Sequence, residues 1–199
     1  MANHQIIAVS KLQPVDKIIE LYNKGHRHFG ENYVQEALEK VEALKHLDIT
    51  WHFIGSLQKN KIKLLQKKFT YIHSIESVEQ LKVLDQKNQI IQNVQKIFLQ
   101  VNLADESTKS GWTEANLLEA WPTISRLANI NCVGLMTMPP LENEPEKNRN
   151  YFKKLVHLGK KLGLQEFSMG TSHDYKIALE EGATWVRLGT VLFGERAKK

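Results

Sequence analysis

Short apolar runs alternate with longer amphipathic stretches along the whole chain. The runs are three to five residues long and rich in β-branched and aromatic side chains, which is typical of strands buried in a parallel sheet. They cover residues 6–9, 28–30, 51–54, 71–74, 97–101, 132–136, 167–169 and 185–188. Most of the segments between them repeat apolar residues at helical spacing. The pattern therefore predicts eight strands with a helix after nearly every one.

The predicted helices have recognisable ends. Pro14 stands at a first-turn position of one helix, which Gly25 closes, and Ser172 precedes another helix that ends at Gly182. Eight β/α units predict a (β/α)8 TIM barrel with minimal loops, and a doubly wound open sheet is the alternative. No linker or change in composition divides the chain, so residues 1–199 are predicted to form a single domain.

Composition places the chain among ordinary globular proteins. Of its 199 residues, 42% are hydrophobic and 25% are charged, which excludes a disordered chain, a collagen-like fibre and a disulfide-stapled miniprotein. The net charge is +5, and positions 59–68 hold five lysines and no acid. No aromatic residue within that segment would stack on a base. We therefore predict that these lysines form a solvated helix face rather than a nucleic-acid or membrane surface.

Neither a secretory signal nor a membrane-spanning segment is expected from the sequence. Residues 1–5 carry no basic region ahead of an apolar stretch, and the apolar runs are much shorter than the ~20 residues of a membrane helix. Cys132 is the single cysteine and cannot form an internal disulfide, which fits a reducing compartment. We expect a cytoplasmic protein without nucleic-acid or membrane partners.

Motifs for several common chemistries are missing from the sequence. The eight histidines form no HExxH motif, and His26 with His28 lacks further ligands at a suitable spacing, so no metal site is predicted. No GxSxG, GxGxxG or GxxxxGKS/T segment occurs, which removes local support for serine hydrolases, Rossmann domains and P-loop enzymes. Cys132 is interpreted as a core residue, and His52 either as barrel packing or as facing the barrel mouth.

The carboxyl ends of the predicted strands carry the candidate chemistry, because the working residues of (β/α)8 barrels lie there. Lys11 follows the first strand directly, so its amine is expected at the barrel mouth. One interpretation is a surface lysine that extends into solvent. The other is a Schiff-base lysine, whose amine must lose its proton before it attacks an aldehyde. Lowering its pKa by about three units costs about 4 kcal/mol, which burial and Arg187 would supply.

The last two strands end in segments suited to binding a phosphate. Gly170 and Ser172 lie where the seventh strand meets its helix, and Gly189 and Thr190 lie at the same junction of the eighth. Helix N-termini at these two positions commonly form the phosphate site of a (β/α)8 barrel, although each junction alone predicts only a helix cap. Together with Lys11, the two junctions predict a phosphorylated aldehyde as ligand, and pyridoxal 5′-phosphate (PLP) is such a molecule.

Seven longer motifs follow one another along the chain. They are AVSK at 8–11, FGENYVQE at 29–36, WHFIGSLQKNK at 51–61, QVN with KSG at 100–111, GLMTMP at 134–139, SMGTSHD at 168–174 and VRLGTVLFGER at 186–196. In content and order they resemble motifs of the pyridoxal phosphate homeostasis family, which is related to the N-terminal barrel of bacterial alanine racemase. The resemblance implies a single-domain barrel of PLP fold type III.

The resemblance also implies roles for individual residues and partners. By position, the implied PLP-binding residues are Lys11 as the Schiff-base lysine, Arg187 facing the pyridine nitrogen, Ser172, Gly189 and Thr190 around the phosphate, and Asn32 and Ser168 beside the ring. A protein of this family has no established turnover. Its implied partners are PLP and the PLP-dependent apoenzymes that accept the cofactor, and the chain is expected to be a monomer.

Two departures from the family pattern bear on function. Family members often read AVSKTKP, whereas Gln13 stands here in place of the second lysine. A role in cofactor transfer given to that lysine therefore does not carry over. The chain also begins almost at its first strand, without most of the helix that usually precedes it, so a gap in the outer ring or an exposed apolar patch is expected.

Three functions compete for these residues. The first is a non-catalytic protein that stores or delivers PLP, the second is a PLP-dependent enzyme such as an amino-acid racemase, and the third is a lysine-dependent aldolase, whose lysine normally follows a later strand. Racemisation needs two bases. In racemases the second base is a tyrosine from an additional β domain, for which no residues are left here, and Val15 replaces the tyrosine usual four residues after the lysine. We therefore predict the non-catalytic role in intracellular PLP (vitamin B6) homeostasis, and the residues leave the acceptor and the oligomeric state open.

Overall fold

The computed structural model describes residues 4–104, 110–140 and 144–194. Residues 1–3 and the motif positions 109, 195 and 196 lie outside these ranges. In the described part of the chain, eight parallel strands close into a barrel in which each strand pairs with the next and the eighth with the first. The predicted (β/α)8 TIM barrel is confirmed, and the open-sheet alternative is wrong because the first and last strands pair in register.

Helices lie between the strands over the whole described chain. The strands are β1 (Gln5–Val9), β2 (His28–Glu31), β3 (Thr50–Phe53), β4 (Tyr71–Ile75), β5 (Gln95–Gln100), β6 (Ile130–Met136), β7 (Glu166–Thr171) and β8 (Trp185–Leu188). The helices are α1 (Val15–Asn23), α2 (Val34–Ala43), α3 (Ile62–Leu65), α4 (Val78–Ile90), α5 (Glu114–Ile124), α6 (Arg149–Lys161), α7 (Tyr175–Glu180) and α8 (Thr190–Phe193), with 3-10 turns at Lys59–Lys61 and Pro145–Asn148. Each predicted strand ends within two residues of the observed one.

Alternate residues of each strand face two different cores, because side chains along a strand point to opposite faces. Val186 and Leu188 of β8 belong to the large cluster that the strands share with the helices, together with Ile18 of α1. Trp185 lies in a separate small cluster with Ile7, Phe98 and Met136, which fills the inside of the barrel. Residues that share the inward face of the strands therefore extend from the floor of the barrel to its mouth.

Features outside the barrel mouth agree with the sequence. The five lysines between positions 59 and 68 are exposed around a short turn whose Ile62 and Leu65 are buried, which is the solvated face that was predicted. Cys132 lies in β6, where burial of the thiol raises its pKa to about 12 and makes a thiolate nucleophile unfavourable. Among the described residues, no helix has the length and apolar character needed to cross a bilayer.

Candidate functional site

A cavity of about 700 Å³ opens where the strands end at the carboxyl side of the barrel. It is lined by Val9, Lys11, Asn32, Ile54, Met138, Thr171, Ser172, His173, Arg187, Gly189 and Thr190. Six of the seven residues predicted to bind a ligand are therefore brought together here. The exception is Ser168, which is completely buried and does not line the cavity.

The backbone on both sides of Lys11 is held by side chains from the neighbouring β/α unit. Leu12 has a φ of 60°, a left-handed conformation that a branched side chain rarely adopts. Its N–H donates to Oε1 of Glu36 over 2.6 Å. On the other side, the hydroxyl of Ser10 donates to Oε1 of Glu31 over 2.6 Å. These two contacts fix the sharp turn from which the Lys11 side chain enters the cavity.

A buried ion-pair cluster supports that turn from below. The Nζ of Lys40, on α2, lies 2.9 Å from Oε1 of Glu31 and 2.5 Å from Oε1 of Glu36. The same ammonium donates to the backbone carbonyl of Ser10 over 2.7 Å. Burial raises the pKa of the Glu31 carboxyl, while hydrogen bonds from Ser10 and Lys40 and the charge of Lys40 lower it. Lys40 thus joins two carboxylates and the chain next to Lys11 in one unit.

Arg187 lies across the floor of the cavity with its guanidinium bound to acceptors. Its Nη1 donates to the carbonyl oxygen of Ser168 over 2.7 Å and to Oγ of Ser168 over 2.9 Å, and its Nη2 donates to the carbonyl oxygen of Thr137 over 3.0 Å. Burial lowers the pKa of Arg187 to about 10, and the charge of Asp174 acts in the opposite direction. The side chain remains a cation at neutral pH. Ser168 therefore binds the guanidinium of Arg187 through its carbonyl oxygen and its hydroxyl oxygen.

The two predicted phosphate-binding segments lie against each other at the mouth. The backbone N–H of Gly189 donates to Oγ of Ser172 over 3.0 Å, so the end of β7 is tied to the end of β8. Because the Ser172 oxygen accepts this bond, its hydroxyl proton is available to donate to a ligand. Gly189 is also the N-cap of α8, whose first residue is Thr190.

Ser172 does not cap α7, contrary to what its position in the sequence predicts. The N-cap is Asp174, whose Oδ1 accepts hydrogen bonds from the N–H and the hydroxyl of Thr171 over 2.7 and 3.0 Å. These bonds hold a tight turn after Gly170, whose φ is 88° and whose added Cβ would lie 2.5 Å from Cβ of Ala178. The turn moves Ser172 out of the capping position and into the cavity wall.

Asn32 reaches the cavity wall because glycine follows β3. A Cβ added to Gly55 would lie 1.9 Å from the carbonyl oxygen of Asn32, so only glycine allows this approach of the two strand ends. The Oδ1 atom of Asn32 is buried and has no hydrogen-bond partner among the described residues. Buried polar atoms are usually satisfied, so Oδ1 is a site where a ligand donor would bind.

Some residues of the site are absent from the sequence prediction. His173 lines the cavity next to Ser172, and Met138 and Ile54 supply apolar wall. Glu31 and Lys40 hold the Lys11 turn from outside the cavity. His173 lies within the motif at 168–174, and Glu31 within the motif at 29–36, so membership of these motifs was the available signal. Nothing in the local sequence of Lys40 distinguishes it from the lysines of a solvated helix face.

The donor set of the cavity fits a phosphorylated aldehyde. Lys11 and Arg187, which come from the neighbouring strands β1 and β8, contribute an amine and a guanidinium to the wall, while Ser172, Gly189 and Thr190 surround a corner suited to an anion. The volume lies within the range of cofactor pockets. Among the described residues, no group of three histidine, cysteine or acidic side chains is placed to hold a metal ion. PLP has both the aldehyde and the phosphate that these residues would bind.

Comparisons with known proteins agree with the fold. The family model for the alanine racemase N-terminal domain matches residues 1–197. An alanine racemase from Clostridium difficile shares the barrel at 13% identity, with a TM-score of 0.77 over 100% of this chain and 54% of the racemase. At that identity the likeness concerns the fold alone. The chain is therefore a (β/α)8 barrel of the alanine racemase N-terminal type.

More similar relatives identify a narrower family. The pyridoxal phosphate homeostasis protein of Aquifex aeolicus is 45% identical over 96% of this chain and 87% of its own length. The solved structure of PipY from Synechococcus elongatus with PLP bound is 39% identical, covers 98% of this chain and 94% of that protein, and has a TM-score of 0.93. The chain belongs to the family of pyridoxal phosphate homeostasis proteins.

Proposed function

We propose that this protein binds PLP covalently through Lys11 and serves intracellular PLP homeostasis without catalytic turnover. The observation that carries the proposal is the cavity itself, which joins a lysine from β1 to a donor-rich corner formed by the ends of β7 and β8. The PLP-bound structure of PipY supports the same ligand. In this proposal the chain acts in the cytoplasm as a monomeric domain and passes PLP to PLP-dependent apoenzymes.

Each group of the cavity has a separate part in this function. Lys11 Nζ would bind the aldehyde carbon, with the aldehyde oxygen leaving as water, and the turn held by Glu31 and Glu36 fixes where that amine lies. Ser172 and Thr190 donate hydroxyl protons to the phosphate. Asn32 Oδ1, which lacks a donor among the described residues, accepts one from the ligand. Binding thus uses both ends of the cofactor, which favours retention of PLP over pyridoxal.

Arg187 is the reason to propose binding without turnover. PLP, when bound, supplies a ring that enzymes use to draw electrons from the α-carbon of an amino acid. That use is strongest when a carboxylate keeps the pyridine nitrogen protonated, whereas a guanidinium is a donor only and leaves the nitrogen without a proton. Ser168 and Thr137 hold the guanidinium of Arg187 at the cavity floor, where it would face that nitrogen.

The test of this function is covalent labelling of the purified chain. After incubation with PLP we expect a yellow protein, and after borohydride reduction we expect the cofactor on one peptide containing Lys11. Lys11→Ala abolishes the label, while Lys24→Ala, at an exposed lysine directly after α1, leaves it unchanged. A label on another peptide would contradict the proposal. A different outcome would be that the wild type racemises amino acids at a rate of about 1 per second or more. If the variant His173→Asn lost that activity, the protein would be a PLP enzyme.

The phosphate corner gives a second expected result. The double variant Ser172→Ala with Thr190→Ala is expected to bind PLP about tenfold to a hundredfold more weakly, because it loses two hydrogen bonds to a charged group. Binding of pyridoxal, which has no phosphate, should change little. Equilibrium binding of both ligands, followed by absorbance, measures the difference. Equal losses for PLP and pyridoxal would show that the two hydroxyls only maintain the β7–β8 contact.

A further inference from the structure

A continuous chain of hydrogen-bonded side chains crosses the inside of the barrel. Nδ1 of His28 lies 3.0 Å from Nε2 of His52, and Nδ1 of His52 lies 2.9 Å from Nε2 of His73. Nδ1 of His73 lies 2.9 Å from Oγ of Ser168, which accepts from Nη1 of Arg187 at 2.9 Å. Each ring thus uses one nitrogen toward each neighbour. The nitrogens do not converge on one point, so the arrangement suits proton sharing and not a metal ion.

Strand register shows that this chain runs from the floor of the barrel to its mouth. His28 is the first residue of β2, and His52 pairs with Gly30, two residues further along that strand. His52 in turn pairs with Tyr71, and His73 lies two residues beyond it on β4. Each step from one histidine to the next therefore moves two residues toward the carboxyl ends of the strands. The chain begins at a half-buried histidine at the amino end of the barrel and ends at the arginine of the cavity.

Aromatic side chains seal the middle of the chain from water. The ring centroid of Trp185 lies 5.1 Å from that of His28 and 5.0 Å from that of His52, and Phe98 stacks on His73 at 4.2 Å. Burial lowers the pKa of His52 and His73 well below the usual value, so both rings are neutral at physiological pH. Burial also lowers the pKa of His28, which is the member of the chain nearest to solvent.

The Ser168 hydroxyl, which lies between Arg187 and His73, favours one direction of the bonds. A guanidinium only donates, so Ser168 Oγ accepts from Arg187, and its own proton is used within the chain when it points to Nδ1 of His73. In the opposite direction His73 and Arg187 both donate to Ser168 Oγ, and the hydroxyl proton has no acceptor within the chain. A neutral imidazole has one donor and one acceptor nitrogen. His73 therefore carries its proton on Nε2 and donates to His52, and His52 likewise donates from Nε2 to Nδ1 of His28. All three rings are in the Nε2–H form, and all bonds point away from the cavity.

We propose that His28, His52, His73 and Ser168 are positioning residues for Arg187, joined in an oriented hydrogen-bond relay that reverses when His28 is protonated. A protonated His28 carries hydrogen on both nitrogens and no longer accepts from His52. The relay stays intact only if His52 and His73 hold their protons on Nδ1. His73 and Arg187 then donate to the two lone pairs of Ser168 Oγ, and the serine's own proton turns away from His73. The added proton comes from solvent and remains on His28, while the other two rings stay neutral.

The remaining charged groups near the relay do not interrupt it. Glu166 accepts from Nε1 of Trp185 over 2.6 Å and so belongs to the wall behind His28. Tyr71 stacks on His52 at 4.7 Å with Lys96 above its ring. Arg27 precedes His28 but directs its guanidinium to backbone carbonyls on the outside of the barrel. Of the relay and the arginine that it holds, only Arg187 lines the cavity, so the relay extends beyond the proposed binding of PLP.

The experiment is nitrogen-15 NMR of the full chain, labelled at histidine and free of cofactor. Near neutral pH we expect His28, His52 and His73 all in the Nε2–H form. On acidification through the titration of His28, whose pKa burial lowers, His52 and His73 should switch to the Nδ1–H form with the same midpoint as His28. Retention of the original tautomers while His28 titrates would overturn the proposal, as would mixed tautomers at neutral pH.

Two variants separate the relay from simple packing. In His28→Asn the amide still exchanges a hydrogen bond with His52 but does not titrate, so the pH switch of His52 and His73 should be lost. The matched control is His157→Asn, an exposed histidine on α6, which should leave the switch unchanged. A switch that persists in His28→Asn would assign it to another group and would overturn the role of His28. The wild-type measurement decides the tautomers even if His28→Asn fails to fold.

Discussion

Arg187→Glu is expected to lower the free energy of unfolding by about 3–5 kcal/mol near neutral pH, the range for a buried charge that loses its partners. The guanidinium donates to two carbonyl oxygens and one hydroxyl, from Ser168 and Thr137. A carboxylate at the same place would face these acceptors without a proton to donate. Urea unfolding of the variant and of the wild type gives the difference.

The pH dependence of this loss has a definite sign. Burial raises the pKa of the introduced carboxyl above its value in the unfolded chain. A group of this kind favours folding below its unfolded pKa and loses that contribution as pH rises. The loss of unfolding free energy caused by Arg187→Glu should therefore be smaller at about pH 5 than near neutral pH. The control is Arg126→Glu, an exposed position that should change stability by less than about 0.5 kcal/mol. Equal losses in the two variants would contradict the buried role of Arg187.

Lys40→Met is the second substitution with a large expected effect, again about 3–5 kcal/mol near neutral pH. The variant removes the ammonium that lies between Glu31 and Glu36 and leaves the completely buried Glu31 without a counter-ion. It also removes a hydrogen bond to the Ser10 carbonyl next to Lys11. We therefore expect lower stability and, after borohydride reduction, a smaller yield of labelled Lys11.

A matched variant controls for the loss of charge alone. Lys45 pairs with Glu42 on the surface, three residues apart, and both side chains are largely exposed. Exposed pairs contribute about 0–1 kcal/mol, so Lys45→Met should change stability and labelling little. Protonation of Glu31 removes the unpaired charge, which means that the deficit of Lys40→Met should decrease toward about pH 5. A deficit no greater than that of Lys45→Met would show that the cluster is not needed for the Lys11 turn.

Both substitutions act on residues that support the cavity from outside it. Lys40 holds the turn that carries Lys11, and Ser168 with the histidine relay holds Arg187. The two supports approach the cavity from different cores, one between the sheet and α2 and one inside the barrel. Preorganisation of a binding site depends on such neighbours as much as on the groups that touch the ligand.

Much of the cavity could be predicted from the sequence because strand ends are local features. An apolar run followed by a lysine places Lys11 at the mouth of any parallel barrel, and glycine with serine or threonine after the last two runs places Ser172 and Thr190 there. Counting the runs favoured a closed barrel over an open sheet, and the pairing of β1 with β8 decided between them. Arg187, the third residue of β8, lines the same cavity.

What the sequence determined by itself was therefore which elements form, in what order, and which residues stand at their ends. Only the tertiary structure decided how the buried polar residues pair. His73 and Ser168 are 95 residues apart, and barrel closure with its strand register brings them within hydrogen-bond distance. The same holds for Lys40, whose local pattern is that of an exposed helix residue until α2 packs over Glu31. Local periodicity reports which face of an element is buried, whereas the partner of a buried charge depends on how distant elements are packed together.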